Sequence, residues 1–428
     1  MYIRQGELFS YEEFVAEKDD NTRLVLTLSA LPDGGLLSWL RGERKGRRDE
    51  YPQEVLWRCL VAKFVYQIRT YAELRRELQR NGSLRRLVGI GSLARVPEAY
   101  HFSRLLKRLS SAEGLEQLRG MFEDLVGRLA EAMPEFGRHV AVDATAVHAY
   151  SNEQRRDKSD ADAAWSARPK RQRRRQGSGV VEESLEYWFG YLVHVVVDCK
   201  TELPIGFEVT AANENDTTRF VPLLEQVQQA QPELVERTEA VLADAGYDSV
   251  QNCRHVLGEL EALPVIKMRL TQEREAICQA AECRCTELGT PICDSGYRMV
   301  YAGRDGDYLK WRCPVACGKQ ERCRERGRCT PSAYGRVLKV RIWDDPRRFP
   351  GLARESPKWE RLYRKRTAAE RVNARLKDFL LLDDLTVRGI AKVQMHASVG
   401  LLVMLAGAWA MVSQDRIKEA RRIVRLAA

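Results

Sequence analysis

Between residues 139 and 269 the apolar pattern changes period several times, and the order of the changes leaves little freedom for the fold. "HVAVDATAV" alternates as a strand does, and "YWFGYLVHVVVDCKTELPIGFEVTAA" reads as two strands joined by a turn near "CKTELP". "RFVPLLEQVQQA" is an amphipathic helix, and "EAVLADAGYDS" is a buried-type strand running into a turn. "NCRHVLGELE" is a second helix and "LPVIKMR" a further strand. Three strands followed by helix, strand, helix and strand predict an α/β layer on a mixed sheet.

The flanks differ from this centre. Residues 1–115 read as an all-helical domain, for DNA binding or dimerisation: "YPQEVLWRCLVAKFVYQI" has helical periodicity, and "TYAELRREL" opens with a capping box of Thr70 and Glu73. Pro97 is placed to start "PEAYHFSRLLKRL" as a first-turn residue. Residues 116–270 hold the first part of the α/β core, with a basic polar segment at 151–186. Residues 271–350 lose regularity and gain cysteines, and 351–428 return to helices.

Lysine and arginine exceed aspartate and glutamate by 70 to 60, a modest bias that fits a nucleic-acid partner without requiring one. The runs "RGERKGRR" (41–48), "RPKRQRRR" (168–175) and "RCRERGRC" (322–329) concentrate it, although each alone reads better as a solvated loop. The start "MYIRQGELFSYEEF" has no apolar signal-peptide core, and "VGLLVMLAGAWAMV" (399–412) is short for a membrane span; a cytoplasmic protein without membrane contact is expected.

Strand-end carboxylates are the first sign of chemistry. Asp143 ends "VAVD" and Asp244 ends "AVLAD", where α/β sheets build their sites; alone, each would pass for a turn cap. A third carboxylate, Glu370, lies in "YRKRTAAERVNARLKD" (363–378). On a continuous helix Tyr363, Arg366, Glu370 and Lys377 form one stripe, beside an apolar face of Ala369, Val372 and Leu376 and a basic face holding Arg371 and Arg375. A simple i,i+4 pair of Arg366 with Glu370 is the plain explanation of part of it. Three converging carboxylates without a base would repel one another unless a divalent cation such as Mg²⁺ or Mn²⁺ held them. Two such ions support phosphoryl transfer, with Arg366 and Lys377 placed for phosphate oxygens and Tyr363 packing nearby. His148 reads as a structural histidine, and Asp248 as a cap of the helix after it.

These residues resemble the DDE transposases of bacterial insertion sequences, in the group whose glutamate helix carries Y-x2-R-x3-E-x6-K. Tyr363, Arg366, Glu370 and Lys377 match all four positions, while "VDATAV" and "ADAGYDS" resemble the group's two aspartate strands. "SDADAAW" (159–165) and "VRGIAKVQMH" (387–396) are also similar to family segments. The resemblance implies a ribonuclease-H-like core, with an insertion before the Glu370 helix. It implies that Asp143, Asp244 and Glu370 are a metal-binding catalytic triad. It further implies cleavage of double-stranded DNA at element ends and joining of the 3′-OH to a target, within a homo-oligomeric protein–DNA complex in the bacterial nucleoid. A non-catalytic DNA-binding derivative, or a nuclease that does not rejoin, is the alternative.

Eight of the eleven cysteines lie between Cys278 and Cys329, which in a chain without a secretory signal points to metal rather than disulfides. Cys313, Cys317, Cys323 and Cys329 are the expected ligands of one structural zinc, with Cys278, Cys283, Cys285 and Cys293 as substitutes or a second set. Their spacing lacks a tight double CxxC, so reduced, unliganded thiols remain the alternative.

Overall fold

Apolar residues at helical spacing, punctuated by caps, make the N-terminal part helical. The computed structural model describes residues 20–42, 51–91, 95–151, 159–173, 181–269, 276–278 and 283–421. It forms α1 (Asp20–Ala30), α2 (Gly34–Gly42), α3 (Gln53–Val65), α4 (Tyr71–Arg80), α5 (Gly82–Val88), α6 (Ala99–Leu109) and α7 (Ala112–Ala132). The predicted capping box forms at α4: Thr70 Oγ1 accepts from Glu73 N–H at 3.1 Å, and Glu73 accepts from Thr70 N–H at 3.0 Å. Pro97 is not in the first turn of α6. Glu98 is the N-cap there, its N–H donating to His101 Nδ1 at 3.1 Å. Some arginines that gave the region its DNA-binding look are committed internally. Arg75 donates to Pro97 O and pairs with Glu98, while Arg108 donates to Leu40 O and lies over the Trp39 ring.

The centre folds as β1 (His139–His148), β2 (Ala164–Arg173), β3 (Val181–Asp198), β4 (Pro204–Ala211), α8 (Asp216–Ala230), α9 (Pro232–Glu236), β5 (Ala240–Ala243), α10 (Val250–Gly258) and β6 (Leu263–Ile266). β3, β1, β5 and β6 are neighbours in that order; β3 is antiparallel to β1, and β1, β5 and β6 run parallel. β3 is long enough to pair twice beyond β1, through 181–190 with β2 and through 191–197 with β4. This is the ribonuclease-H-like arrangement. β2 was not expected: it emerges from the polar segment, and its register sets basic residues opposite acidic ones. Arg168 pairs with Glu186 at 2.8 Å, so the described part of "RPKRQRRR" is a strand with partners, not a loop. Residues 43–48 and 174–175 of the basic runs lie outside the described residues.

Regularity does not stop in the cysteine-rich insertion. β7 (Ala276–Cys278), β8 (Cys283–Cys285) and β9 (Pro291–Ile292) form one antiparallel sheet. β10 (Val300–Asp305), β11 (Tyr308–Arg312) and β12 (Val337–Arg341) form another, with the one-turn α11 (Arg326–Cys329) between its last two strands. The strands are too short and too polar to show as a pattern. Their small core of Met299, Leu309, Trp311, Val340 and Ile342 closes on Leu257 of α10. Asp248, only 1% exposed, accepts both contacts from Arg347 Nε at 2.9 Å and fastens the insertion to the sheet. The cap of α10 is Ser249 instead.

Three helices complete the chain: α12 (Pro357–Arg364), α13 (Thr367–Phe379) and α14 (Ile390–Val412). α14 is the apolar stretch expected to be buried; in length and composition it would pass for a membrane span, and 94% of its most apolar window is covered by protein. It packs on α7, α1, α3 and β4, so one hydrophobic core runs from Leu24 and Trp57 to Val142 and Met404. The expected boundary at 115/116 therefore falls inside α7, and the N-terminal helices share their core with the sheet. Asp160 and Asp162 accept from the Gly389 and Ile390 N–H groups at the start of α14, at 3.2 and 2.9 Å. "SDADAAW" and "VRGIAKVQMH" thus meet through a helix cap.

Candidate active site

The parallel pairing of β1 with β5 ends at Val142 opposite Ala243, so Asp143 and Asp244 are the next residues on adjacent strands. Asp143 stays in the sheet, opposite Val195 of β3. Asp244 leaves it for the turn Ala245–Tyr247, where its Oδ1 accepts from Gly246 N–H at 2.7 Å. Alternation along β1 turns Asp143 to the face covered by α13.

The Glu370 segment is not one helix. The chain turns at Lys365 and Arg366 between α12 and α13, with tighter Arg366 N–H to Tyr363 O bonding at 3.0 Å. Tyr363 belongs to α12 and stacks on Trp359 at 5.0 Å. On α13, Ala369, Val372 and Leu376 are buried as predicted, and the polar stripe adds a residue that the sequence analysis passed over. Asn373 donates from Nδ2 to Asp143 Oδ2 at 3.0 Å and holds the helix against the first aspartate. Its position three residues after Glu370 and four before Lys377 was the available signal. Glu370, 51% exposed, pairs with Arg366 at 2.5 Å, the plain i,i+4 contact. Lys377 does not point freely outward: Nζ donates to Ala146 O at 2.6 Å and pairs with Asp383 at 3.2 Å. Arg371 and Arg375 are not a free basic face either; they pair with Glu202 of the β3–β4 turn at 2.7 and 3.1 Å.

Burial first, and then the neighbouring Asp244 charge, push the Asp143 carboxyl up to about 7, with Arg366 pulling the other way. A desolvated carboxylate beside a second one, with Asn373 Oδ1 also buried and without a hydrogen-bond partner, is a donor set that fits a hard divalent cation. Among the described residues no three His, Cys, Asp or Glu side chains are gathered tightly enough to ligate one ion. The Asp143 carboxyl nevertheless feels the charges of both Asp244 and Glu370.

The family model described as a transposase DDE domain matches residues 134–405, spanning β1 through most of α14. The chain belongs to that family. A model described as a transposase domain matches residues 12–108. A solved piggyBac transposase synaptic complex with hairpin DNA aligns over 96% of this chain and 80% of its own, at 11% identity and a TM-score of 0.38. No curated protein matches. The protein is therefore a DNA transposase, an enzyme that cuts and transfers DNA, and its family normally works with a divalent metal.

Elsewhere in the transposase, Cys313, Cys323 and Cys329 line a cavity of about 220 Å³ as a group, but Cys317 does not; Cys293 stands in its place. Cys323 Sγ lies 3.2 Å from Ser295 Oγ. Cys285 is buried in the core of the insertion, and Cys278 faces Cys283 in the β7–β8 register. His148 is exposed at the far end of β1.

Proposed function

We propose that Asp143, Asp244 and Glu370 hold the Mg²⁺ or Mn²⁺ ions with which the transposase cuts insertion-sequence ends and joins the 3′-OH to target DNA. The observation that carries this reading is the pairing of β1 and β5, which ends where two aspartates follow side by side, opposite a helix hydrogen-bonded to one of them. When bound, the cations would activate the attacking oxygen and stabilise the leaving one. The residues of the chain do the positioning. Asn373 fixes the rotamer of Asp143, and the Gly246 N–H fixes that of Asp244. Glu370 is exposed and, among the described residues, is held by Arg366, so it can turn inward. Arg366, then released, meets a phosphate oxygen beside Tyr363. Lys377 supports this as a tether from α13 to β1, and reaches phosphate only by leaving Ala146.

The N-terminal helices and the exposed arginines are proposed to contact DNA, in a homo-oligomer assembled on the element ends in the cytoplasm, at the nucleoid. One structural Zn²⁺ is proposed for the insertion, on Cys313, Cys323 and Cys329, with Cys293 a better-placed fourth ligand than Cys317. The deciding experiment incubates full-length protein and labelled element-end DNA with Mg²⁺. Joined products support the reading; hydrolysis alone would reduce it to a nuclease, and binding alone to a DNA-binding derivative.

A further inference from the structure

Asp244 owes its direction to one peptide unit. Its Oδ1 accepts from the Gly246 N–H at 2.7 Å, and the other end of that peptide is the carbonyl of Ala245. A trans peptide is planar, with its N–H and C=O pointing in opposite directions, so whatever grips the Ala245 oxygen also aims the N–H at the carboxylate. The turn itself grips weakly: Tyr247 N–H reaches Asp244 O at 3.3 Å, and Asp248 N–H reaches Ala245 O at 3.4 Å. The firm hold comes from Arg269, three residues beyond β6. Its Nε donates to Ala245 O at 2.6 Å and its Nη2 to Gly246 O at 3.0 Å, so one planar guanidinium takes two successive carbonyls.

Arg269 has left the sheet, so its own backbone needs other partners. Its N–H donates to Asp248 Oδ2 at 2.7 Å, and its carbonyl accepts from Arg347 Nη2 at 3.2 Å. Arg347 belongs to the cysteine-rich insertion, and its Nε lies 2.9 Å from both oxygens of Asp248. Buried Asp248 therefore joins the backbone of Arg269 to a side chain of the insertion. The chain of contacts runs from the insertion through Arg347, Asp248 and Arg269 to the peptide that aims Asp244. Outer partners of this kind fix how a ligating carboxylate is presented to an ion.

We propose that Arg269 is the positioning residue of Asp244, and that the insertion, through Arg347 and Asp248, holds Arg269 where it aims that carboxylate. The inference rests on the reading of Asp244 as a metal ligand given above. It makes the insertion part of the catalytic geometry rather than an appended domain.

The test follows single-turnover cleavage of labelled element-end DNA by full-length protein as Mg²⁺ is titrated, with melting and gel shift recorded in parallel. Arg269→Met should raise the half-saturating Mg²⁺ concentration by about tenfold or more. Its melting temperature and DNA affinity should stay close to wild type, because the side chain is exposed and spent on carbonyls. Arg269→Lys keeps the charge but not the fork, and should fall between the two. Arg347→Met should raise the Mg²⁺ requirement as well, from the insertion side of the link. Arg348→Met is the control: it pairs with Asp345 and donates to Glu287 O, so its loss should leave the requirement unchanged even if the protein melts earlier. An unchanged Mg²⁺ requirement in Arg269→Met overturns the inference; weaker DNA binding would then make the residue a DNA contact, and early melting a structural one. Equal shifts in Arg347→Met and Arg348→Met overturn the link to the insertion. If Asp244→Asn loses cleavage while Arg269→Met keeps the wild-type requirement, only this inference falls. If Asp244→Asn cleaves normally, the reading of Asp244 falls with it.

Discussion

The carboxylate centre and the cysteine-rich insertion each gather side chains from distant parts of the chain, but they do so by different means. In the centre, Asp143 and Asp244 take their places from the strand ladder, and α13 is secured by Asn373, Lys377 and the two arginines on Glu202. Around the cavity of the insertion, Cys293, Cys313, Cys323 and Cys329 sit on strand ends, loops and a one-turn helix over a small core. A site set by hydrogen-bonded backbone is built before its ion arrives. A site on loops takes much of its definition from the ion. Metal removal should therefore silence the first without unfolding it, and loosen the second.

The largest effect tests the centre. Asp143→Asn and Asp244→Asn, and also Glu370→Gln, should reduce Mg²⁺-dependent cleavage to background while DNA binding, followed by gel shift, survives. Near-normal turnover in any one of them removes that residue from the site. Asn373→Leu comes next: losing the orienting amide should lower turnover or metal affinity by about 10–100-fold with little change in melting. If it melts early but turns over normally once folded, Asn373 is a packing residue.

Glu202→Ala probes the scaffold that makes the centre rigid. It takes the shared carboxylate from Arg371 and from the largely buried Arg375, which keeps only its carbonyl partners, so equilibrium denaturation should show a loss of about 1–3 kcal/mol. The metal-free protein supplies a pH test. The folded-state value for Asp143 lies above its unfolded one, so the acid form is favoured on folding, and stability is lost as pH rises from about 4 to about 7. The slope is at most about 1.4 kcal/mol per pH unit, and Asp143→Asn or added Mn²⁺ should flatten it. A metal-free melting profile that is flat across this window in wild type contradicts the buried, crowded placement of the carboxyl.

The smallest effect on catalysis is expected in the insertion. Cys293→Ser should lower zinc content as much as Cys313→Ser does, and Cys317→Ser much less, by elemental analysis of reduced protein. Equal losses for Cys317→Ser and Cys293→Ser would show that the loop rearranges around the ion. Zinc-free wild type would leave the thiols unliganded.

Periodicity and residue chemistry were enough for the order of core elements apart from β2, the buried faces of α13 and α14, the Thr70 cap and the two aspartates at strand ends. Each depends on contacts within a few residues, or on a repeat that the backbone imposes. Local patterns carry no information about partners hundreds of residues away, and there the sequence reading went astray. It made one helix of α12 and α13, turned Lys377 to phosphate, left Arg371 and Arg375 as a free basic face and took Asp248 for a cap. Ala146, Glu202 and Arg347 decide those residues instead, because a charged side chain near a core takes whichever oppositely polar group the fold brings within reach. Only the tertiary structure could bring Asn373 to Asp143 and the Asp160 segment to the start of α14. These contacts depend on where whole strands and helices come to rest, which is settled by the packing of a shared core rather than by any stretch of sequence read alone.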